Sequence, residues 1–183
     1  PRARPSGTFN WAATLWHELA HVITLQMSGN RLPRWLSEGI SVFEETRANA
    51  GWGRESELLI ARAHATKGLL PLADLNSGFA KVETISLAYQ QAATLVAYLV
   101  ETYGDAALQA LVRSYAEGID DAEALKRAYG LTWTALQPAF DTYVQEKYGG
   151  VAPALAAIEA TPPGRTARAE DWRAFADEHA GNF

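Results

Sequence analysis

Two histidines one helical turn apart, with a glutamate directly after the first, constrain this sequence more than any other feature. The stretch is His17-Glu18-Leu19-Ala20-His21. Residues four apart lie on the same face of an α-helix, so a helical backbone lets both imidazole rings reach one small cation. This spacing suits a catalytic zinc ion, which takes a third protein ligand and keeps one position open for water. Glu18 is then placed to accept a proton from that water as it attacks a carbonyl group.

The residues around the histidines predict a helix over residues 9–28. Asn10 or Thr8 can cap its first turn, and Gly29-Asn30 supply a stop signal. Both histidines then lie in mid-helix, where the backbone holds them rigidly. The large apolar residues of this helix are Trp11, Leu15, Leu19, Val22 and Ile23. The alternative interpretation is an ordinary amphipathic helix whose histidines pair with carboxylates.

The third ligand must be a histidine, an aspartate or a glutamate, because the chain has no cysteine. Glu38 is the leading candidate. Pro33 suits the first turn of a second helix, predicted over residues 34–48, and the short connection makes the two helices neighbours. Glu38 then faces the histidine pair from the second turn of that helix. His64 and Asp74 remain alternatives for the third ligand.

The two motifs together resemble a known family. His17-Glu18-x-x-His21 followed by Trp35-Leu36-Ser37-Glu38-Gly39 is similar to the gluzincin metallopeptidases, in particular the peptidase MA-like group of bacterial domains. The resemblance implies a zinc ion on His17, His21 and Glu38, with Glu18 as the general base. Sixteen residues separate His21 from Glu38, slightly fewer than in thermolysin or the aminopeptidase gluzincins. The shorter connection leaves less room for a substrate-binding insertion.

The resemblance covers about residues 8–148. Tyr89-Gln90-Gln91-Ala92 and the later stretch 98–104 resemble the family's Y-x-Q-A helix, and residues 130–143 resemble its closing helix. The resemblance makes Tyr89 a candidate catalytic residue, whose hydroxyl would stabilise negative charge on the attacked carbonyl oxygen. The alternative is an aromatic side chain that packs at the edge of the core.

Three further side chains have two interpretations each. Glu44 and Glu45 lie farther along the 34–48 helix and are expected either to be solvated or to support the metal ligands. His64 could stabilise an oxyanion. A surface histidine at the end of a helix over residues 54–66 is the favoured interpretation, because a helix C-terminus attracts positive charge.

The rest of the sequence predicts a mainly α fold, arranged as an antiparallel helical array, because no clean period-two stretch indicates a strand. An apolar helix over residues 83–103 should be the central buried element. Asp105, Asp120 or Asp121, and Thr132 are expected to cap three later helices. Gluzincins carry a β-sheet before the metal helix. The sequence begins almost at that helix, so we expect the sheet to lie upstream, outside this chain.

Three segments are expected along the chain. Residues 1–8 are a Pro- and Arg-rich arm, and residues 9–148 form the gluzincin-like helical domain. Residues 149–183 are a helical extension that resembles the start of a tetratricopeptide-like region.

Composition narrows the possible functions. A net charge of −5 argues against a nucleic-acid partner, and no apolar run has the length of about 18 residues that a transmembrane helix needs. The absence of cysteine fits any compartment. We therefore expect a zinc-dependent metallopeptidase that acts on a peptide or protein. Two alternatives are a catalytically inactive metal-binding interaction module and a metallohydrolase of a non-peptide amide or ester.

Overall fold

The computed structural model describes residues 10–52 and 54–151. The predicted arm at 1–8 and the possible repeat region beyond residue 151 lie outside the described residues. The described part contains α-helices, a few 3₁₀ turns and no strand, which confirms the mainly α fold. Its helices are α1 (Trp11–Met27), α2 (Arg34–Ala48), α3 (Arg54–Ala65), α4 (Leu75–Gly78), α5 (Ile85–Tyr103), α6 (Asp105–Ser114), α7 (Asp121–Tyr129) and α8 (Trp133–Tyr148). None of these helices is long and apolar enough to cross a membrane.

Helix α1 begins and ends where its sequence indicates. The side-chain oxygen of Asn10 accepts a hydrogen bond of 3.2 Å from the Ala13 N–H, which satisfies one of the free donors of the first turn. Gly29 and Asn30 both have left-handed backbone conformations, with φ of 61° and 60°. The two residues turn the chain sharply, and α2 returns alongside α1.

Helix α5 is the central buried element, as predicted. Its described core positions lie against α2, α3 and α6. It packs tightly against α2, where a Cβ added to Gly39 would lie 2.9 Å from the carbonyl carbon and oxygen of Ala92. The side chain of Gln91, one residue before, is fully buried and holds both main-chain groups of Leu70, at 2.8 Å and 2.6 Å. The predicted Y-x-Q-A stretch therefore positions α2 and the loop before α4.

The first turn of α2 is anchored by its buried tryptophan. The Trp35 indole N–H donates to Asp121 at the start of α7, at 3.0 Å, and the same carboxylate accepts the Tyr115 hydroxyl at 2.8 Å. The Trp35 main-chain N–H donates to the side-chain oxygen of Asn76 at 3.1 Å. Because this N–H has no partner inside its own helix, Asn76 acts as a cap from a distant part of the chain. Both contacts fix the helix that carries Glu38.

The prediction that Asp105 caps a helix is wrong. Asp105 is the first residue of α6, the preceding Gly104 occupies the cap position with φ of 84°, and no side chain caps this helix. The Asp105 carboxylate instead accepts two hydrogen bonds from Arg47 of α2, at 2.7 Å and 3.2 Å. Both carboxylate oxygens are taken up by this bidentate ion pair, which is stronger than a cap hydrogen bond. Asp120 and Thr132 do cap α7 and α8.

The large apolar residues of α1 do not face the described core. Small side chains on the opposite face, Ala13, Ala20 and Thr24, are buried there. Their size lets α1 lie close to α2, so the metal motif and Glu38 come within reach of each other. The exposed apolar residues of α1 are Trp11, Leu15, Trp16, Leu19, Val22 and Ile23.

We predict that Gly39→Ala destabilises the fold by about 1–3 kcal/mol, because the added methyl group must displace the backbone of α5. Urea unfolding followed by circular dichroism measures this loss. Gly150→Ala is the matched control, since a Cβ at Gly150 meets no atom of residues 10–52 or 54–151 within 4 Å. Equal stability of Gly39→Ala and the unmodified protein would contradict the packing described here.

Candidate metal centre

Three side-chain atoms from α1 and α2 converge on one point. The Nε2 atoms of His17 and His21 lie 3.0 Å apart. One carboxylate oxygen of Glu38, Oε2, lies 3.4 Å from the His17 atom and 3.3 Å from the His21 atom. All three residues are partly buried, and together they could hold a metal ion. The third ligand favoured by the sequence is therefore placed beside the histidine pair.

The size of this triangle fits a tetrahedral ion. Ligand atoms bound at 2.0–2.1 Å to one tetrahedral zinc ion are separated by about 3.3 Å. The three observed separations fall between 3.0 Å and 3.4 Å. Atoms that each present a lone pair repel one another at this range unless a cation or a proton lies between them. The donor set and its spacing therefore suit a divalent metal.

The other ring nitrogens are held by α2. His17 Nδ1 is 2.6 Å from a carboxylate oxygen of Glu45, and His21 Nδ1 is 2.9 Å from the Ser37 hydroxyl oxygen. When each Nδ1–H donates to its oxygen, the Nε2 lone pair is left free for a cation. Glu45 and Ser37 therefore hold the direction of each ring, and the Glu45 carboxylate, which accepts hydrogen bonds, favours the Nδ1–H tautomer of His17.

The charges of the cluster are coupled. The hydrogen bond to Glu38 raises the pKa of His17; burial opposes this rise, and Glu45 adds to it. Burial acts to raise the pKa of Glu38, but the hydrogen bond to His17, the charge of His21 and the hydrogen bond to Tyr89 outweigh it, so the pKa is lowered. In the metal-free protein the pair therefore favours a proton on His17, in the place where a metal ion would carry the positive charge.

Tyr89 and Arg34 lie beside Glu38. The hydroxyl of Tyr89 contributes to lowering the pKa of Glu38, and it accepts a long contact of 3.4 Å from an Nη atom of Arg34. Both side chains pack on Phe79, with the Tyr89 ring edge-on at 5.0 Å and the Arg34 guanidinium 5.2 Å from the ring centre. The predicted catalytic tyrosine is thus close to the three-residue cluster.

Glu18 follows His17 on α1, and its side chain is exposed. Within residues 10–52 and 54–151, no ion pair or hydrogen bond occupies its carboxylate. It therefore has no described partner that would neutralise it.

The other candidate ligands are not part of the cluster. His64 hydrogen-bonds Gln145 of α8 at 2.8 Å. Asp74 lies exposed in a 3₁₀ turn, and Glu44 pairs with Arg47 at 3.3 Å. Of the two glutamates expected either to be solvated or to support the ligands, Glu45 contacts His17 and Glu44 does not.

Sequence reasoning missed the functions of three residues. Ser37 lies inside the motif that was recognised, but nothing in its local spacing shows that its hydroxyl meets His21. Arg34 is one helical turn before Glu38, a spacing that could have indicated an ion pair. The sequence predicts Asp121 only as an alternative cap, whereas its hydrogen bond to Trp35 joins residues 86 positions apart.

The comparison with protein families agrees with this geometry. The family model of the Peptidase MA superfamily matches residues 6–146. The chain belongs to this superfamily. No curated protein and no solved structure matched significantly. The match covers α1 to α7 and nearly all of α8, so it includes every residue of the metal cluster and confirms the resemblance to the peptidase MA group.

We predict that Glu45→Ala lowers metal affinity about 10- to 100-fold, because His17 loses the acceptor that orients its ring. Competition titration with a chromogenic chelator measures the affinity. Glu44→Ala is the matched control, because it removes the adjacent carboxylate, which pairs with Arg47 instead. Equal affinities of the two variants would exclude this function of Glu45.

We also predict that the gap in thermal stability between metal-loaded and metal-free protein widens as pH rises above 6.5. In the metal-free protein the pKa of His17 is raised above its ordinary value of 6.5. Protonated His17 therefore stabilises the metal-free fold fully below pH 6.5, and this stabilisation is lost as pH rises through the raised pKa. A metal ion replaces the proton more easily over the same interval. Melting temperatures measured from pH 6 to 9 test this, and a gap that narrows with rising pH would contradict it.

Proposed function

We propose that this protein is a zinc-dependent metallopeptidase. The observation that supports the proposal most directly is the triangle of His17, His21 and Glu38 donor atoms, which has the dimensions of a tetrahedral site. Three protein ligands leave a fourth position for water, as in catalytic zinc sites. Membership of the Peptidase MA superfamily supports a peptide or protein as the substrate.

The proposed ligands favour zinc by their chemistry. Two imidazole nitrogens and one carboxylate oxygen form a donor set used by catalytic zinc, whereas magnesium and calcium prefer oxygen ligands. Other transition metals also accept imidazole, so the metal that binds depends on cellular supply as well as on the site. Titration with zinc, cobalt and manganese would rank them.

The proposed reaction assigns one task to each nearby side chain. A zinc ion held by His17, His21 and Glu38 would supply a Lewis acid and would activate a water molecule for attack on the carbonyl group. Glu18 accepts the proton of the attacking water and then gives it to the leaving amine, so its carboxylate must be ionised and unpaired at the start. Its exposed position and the absence of a described partner are compatible with this task. Tyr89 donates a hydrogen bond to the carbonyl oxygen as negative charge develops on it.

The test uses two substitutions that are expected to differ in their effect on zinc binding. We expect Glu18→Gln to lower peptide hydrolysis at least about 100-fold, because proton transfer is lost, while zinc still binds. His21→Ala should lose zinc, because a ligand is removed. Cleavage of a mixed peptide library is followed by mass spectrometry, and zinc content is measured by elemental analysis.

Four results would count against the proposal. A fully active Glu18→Gln protein would exclude Glu18 as the general base, and unchanged zinc content of His21→Ala would exclude His21 as a ligand. Zinc-loaded protein that hydrolyses no peptide, amide or ester would favour a metal-binding helical interaction module. Cleavage of amides or esters but not peptides would identify a metallohydrolase of another substrate class.

A further inference from the structure

We propose that Arg34 binds a carboxylate group of the substrate, so that the protein prefers peptides with a negative charge near the cleaved bond. The inference rests on the proposed peptidase function. It comes from the placement of a half-exposed guanidinium between the Glu38 carboxylate and the Tyr89 hydroxyl, at the edge of the metal cluster.

The guanidinium of Arg34 is held in place but poorly satisfied. Its Nε is 3.6 Å from Glu38 Oε1, and its two terminal nitrogens are 3.5 Å from the Phe79 carbonyl oxygen and 3.4 Å from the Tyr89 hydroxyl oxygen. Good hydrogen bonds from a charged nitrogen are 2.7–2.9 Å long. All three contacts are therefore weak. The Arg34 guanidinium carbon lies over the ring of Phe79, 5.2 Å from its centre, in a cation–π contact.

The pairing of Arg34 with Glu38 does not use the oxygen that faces the histidines. Arg34 approaches Oε1, whereas His17 and His21 approach Oε2. A cation bound at Oε2 would share the negative charge of the carboxylate and weaken its attraction for Arg34. The loaded site would thus leave Arg34 with more unsatisfied positive charge, close to where a substrate must lie.

A carboxylate is the group that fits this arrangement. Arginine presents two parallel N–H groups in a plane, which match the two oxygens of a carboxylate. The Arg34 side chain is 49% exposed, so an incoming group can reach it without displacing the core. Tyr89 contacts Arg34 directly, so a substrate with its carbonyl oxygen at Tyr89 would have its neighbouring groups beside the guanidinium.

An alternative function for Arg34 is only to position Glu38. In that case loss of the guanidinium would weaken zinc binding and would slow all peptides equally. Substrate recognition instead predicts a selective effect on charged peptides, with zinc affinity unchanged. The two functions are therefore separable by experiment.

The test compares Arg34→Gln with Arg47→Gln. Arg47 is also a half-exposed arginine on α2, but it pairs with Glu44 and Asp105. Both substitutions are made in zinc-loaded Glu18→Gln protein, where peptide binding is measured by fluorescence without turnover. The probes are library peptides that differ by Glu or Gln at each position, each made as free acid and as amide. Zinc affinity of the two arginine variants is titrated in the same preparations.

We expect the Arg34→Gln substitution to weaken binding of the charged peptides about tenfold, with little effect on neutral peptides or zinc affinity. Arg47→Gln should change neither. If Arg34→Gln abolishes only the preference for Glu over Gln peptides, Arg34 binds an acidic side chain. If it abolishes only the preference for free-acid over amide peptides, Arg34 binds the C-terminal carboxylate. Equal weakening of all peptides, loss of zinc, or no preference for charge in the parent protein would overturn the inference. Failure of the unmodified protein to cleave any peptide would count against the peptidase proposal alone, because the binding assay needs no turnover.

Discussion

The contact between α2 and the backbone of α5 at Gly39 and Ala92 is the constraint on which the site depends. Any side chain larger than hydrogen at position 39 would meet a main-chain carbonyl at 2.9 Å. Glu38 directly precedes this glycine on α2. Its carboxylate points toward α1, whereas Gly39 packs against α5. The same helix carries Ser37 and Glu45, which hold the histidine rings. One close helix pair thus sets the positions of Glu38 and of the two groups that contact the histidine rings.

The cluster brings together groups that repel one another without a cation. Two imidazole nitrogens and a carboxylate oxygen lie within 3.4 Å. The raised pKa of His17 and the lowered pKa of Glu38 show that a proton can supply the missing positive charge. A divalent ion would supply more charge with the same geometry. The packing of α2 against α5 therefore holds these groups together against their mutual repulsion.

Sequence patterns predicted the helices well because their signals are local. The caps at Asn10, Asp120 and Thr132 and the stop at Gly29-Asn30 act within one turn of the backbone. Asp105 shows where this fails, since an arginine 58 positions away takes the carboxylate that would have capped its helix. Periodicity also predicted α1 as a helix without indicating which of its faces another element covers, and the structure leaves its large apolar residues exposed.

The sequence by itself determined the candidate metal ligands, the spacing of the two histidines on one helix and Glu38 as the favoured third candidate, because these depend on helix periodicity and on the chemistry of histidine and glutamate. Only the tertiary structure decided that Ser37 and Glu45 orient the rings and that Arg34 and Tyr89 lie beside Glu38. It also decided that Trp35 is anchored by Asp121. These contacts join side chains whose distance depends on how helices pack, and helix packing is set by the whole core rather than by any local stretch of sequence.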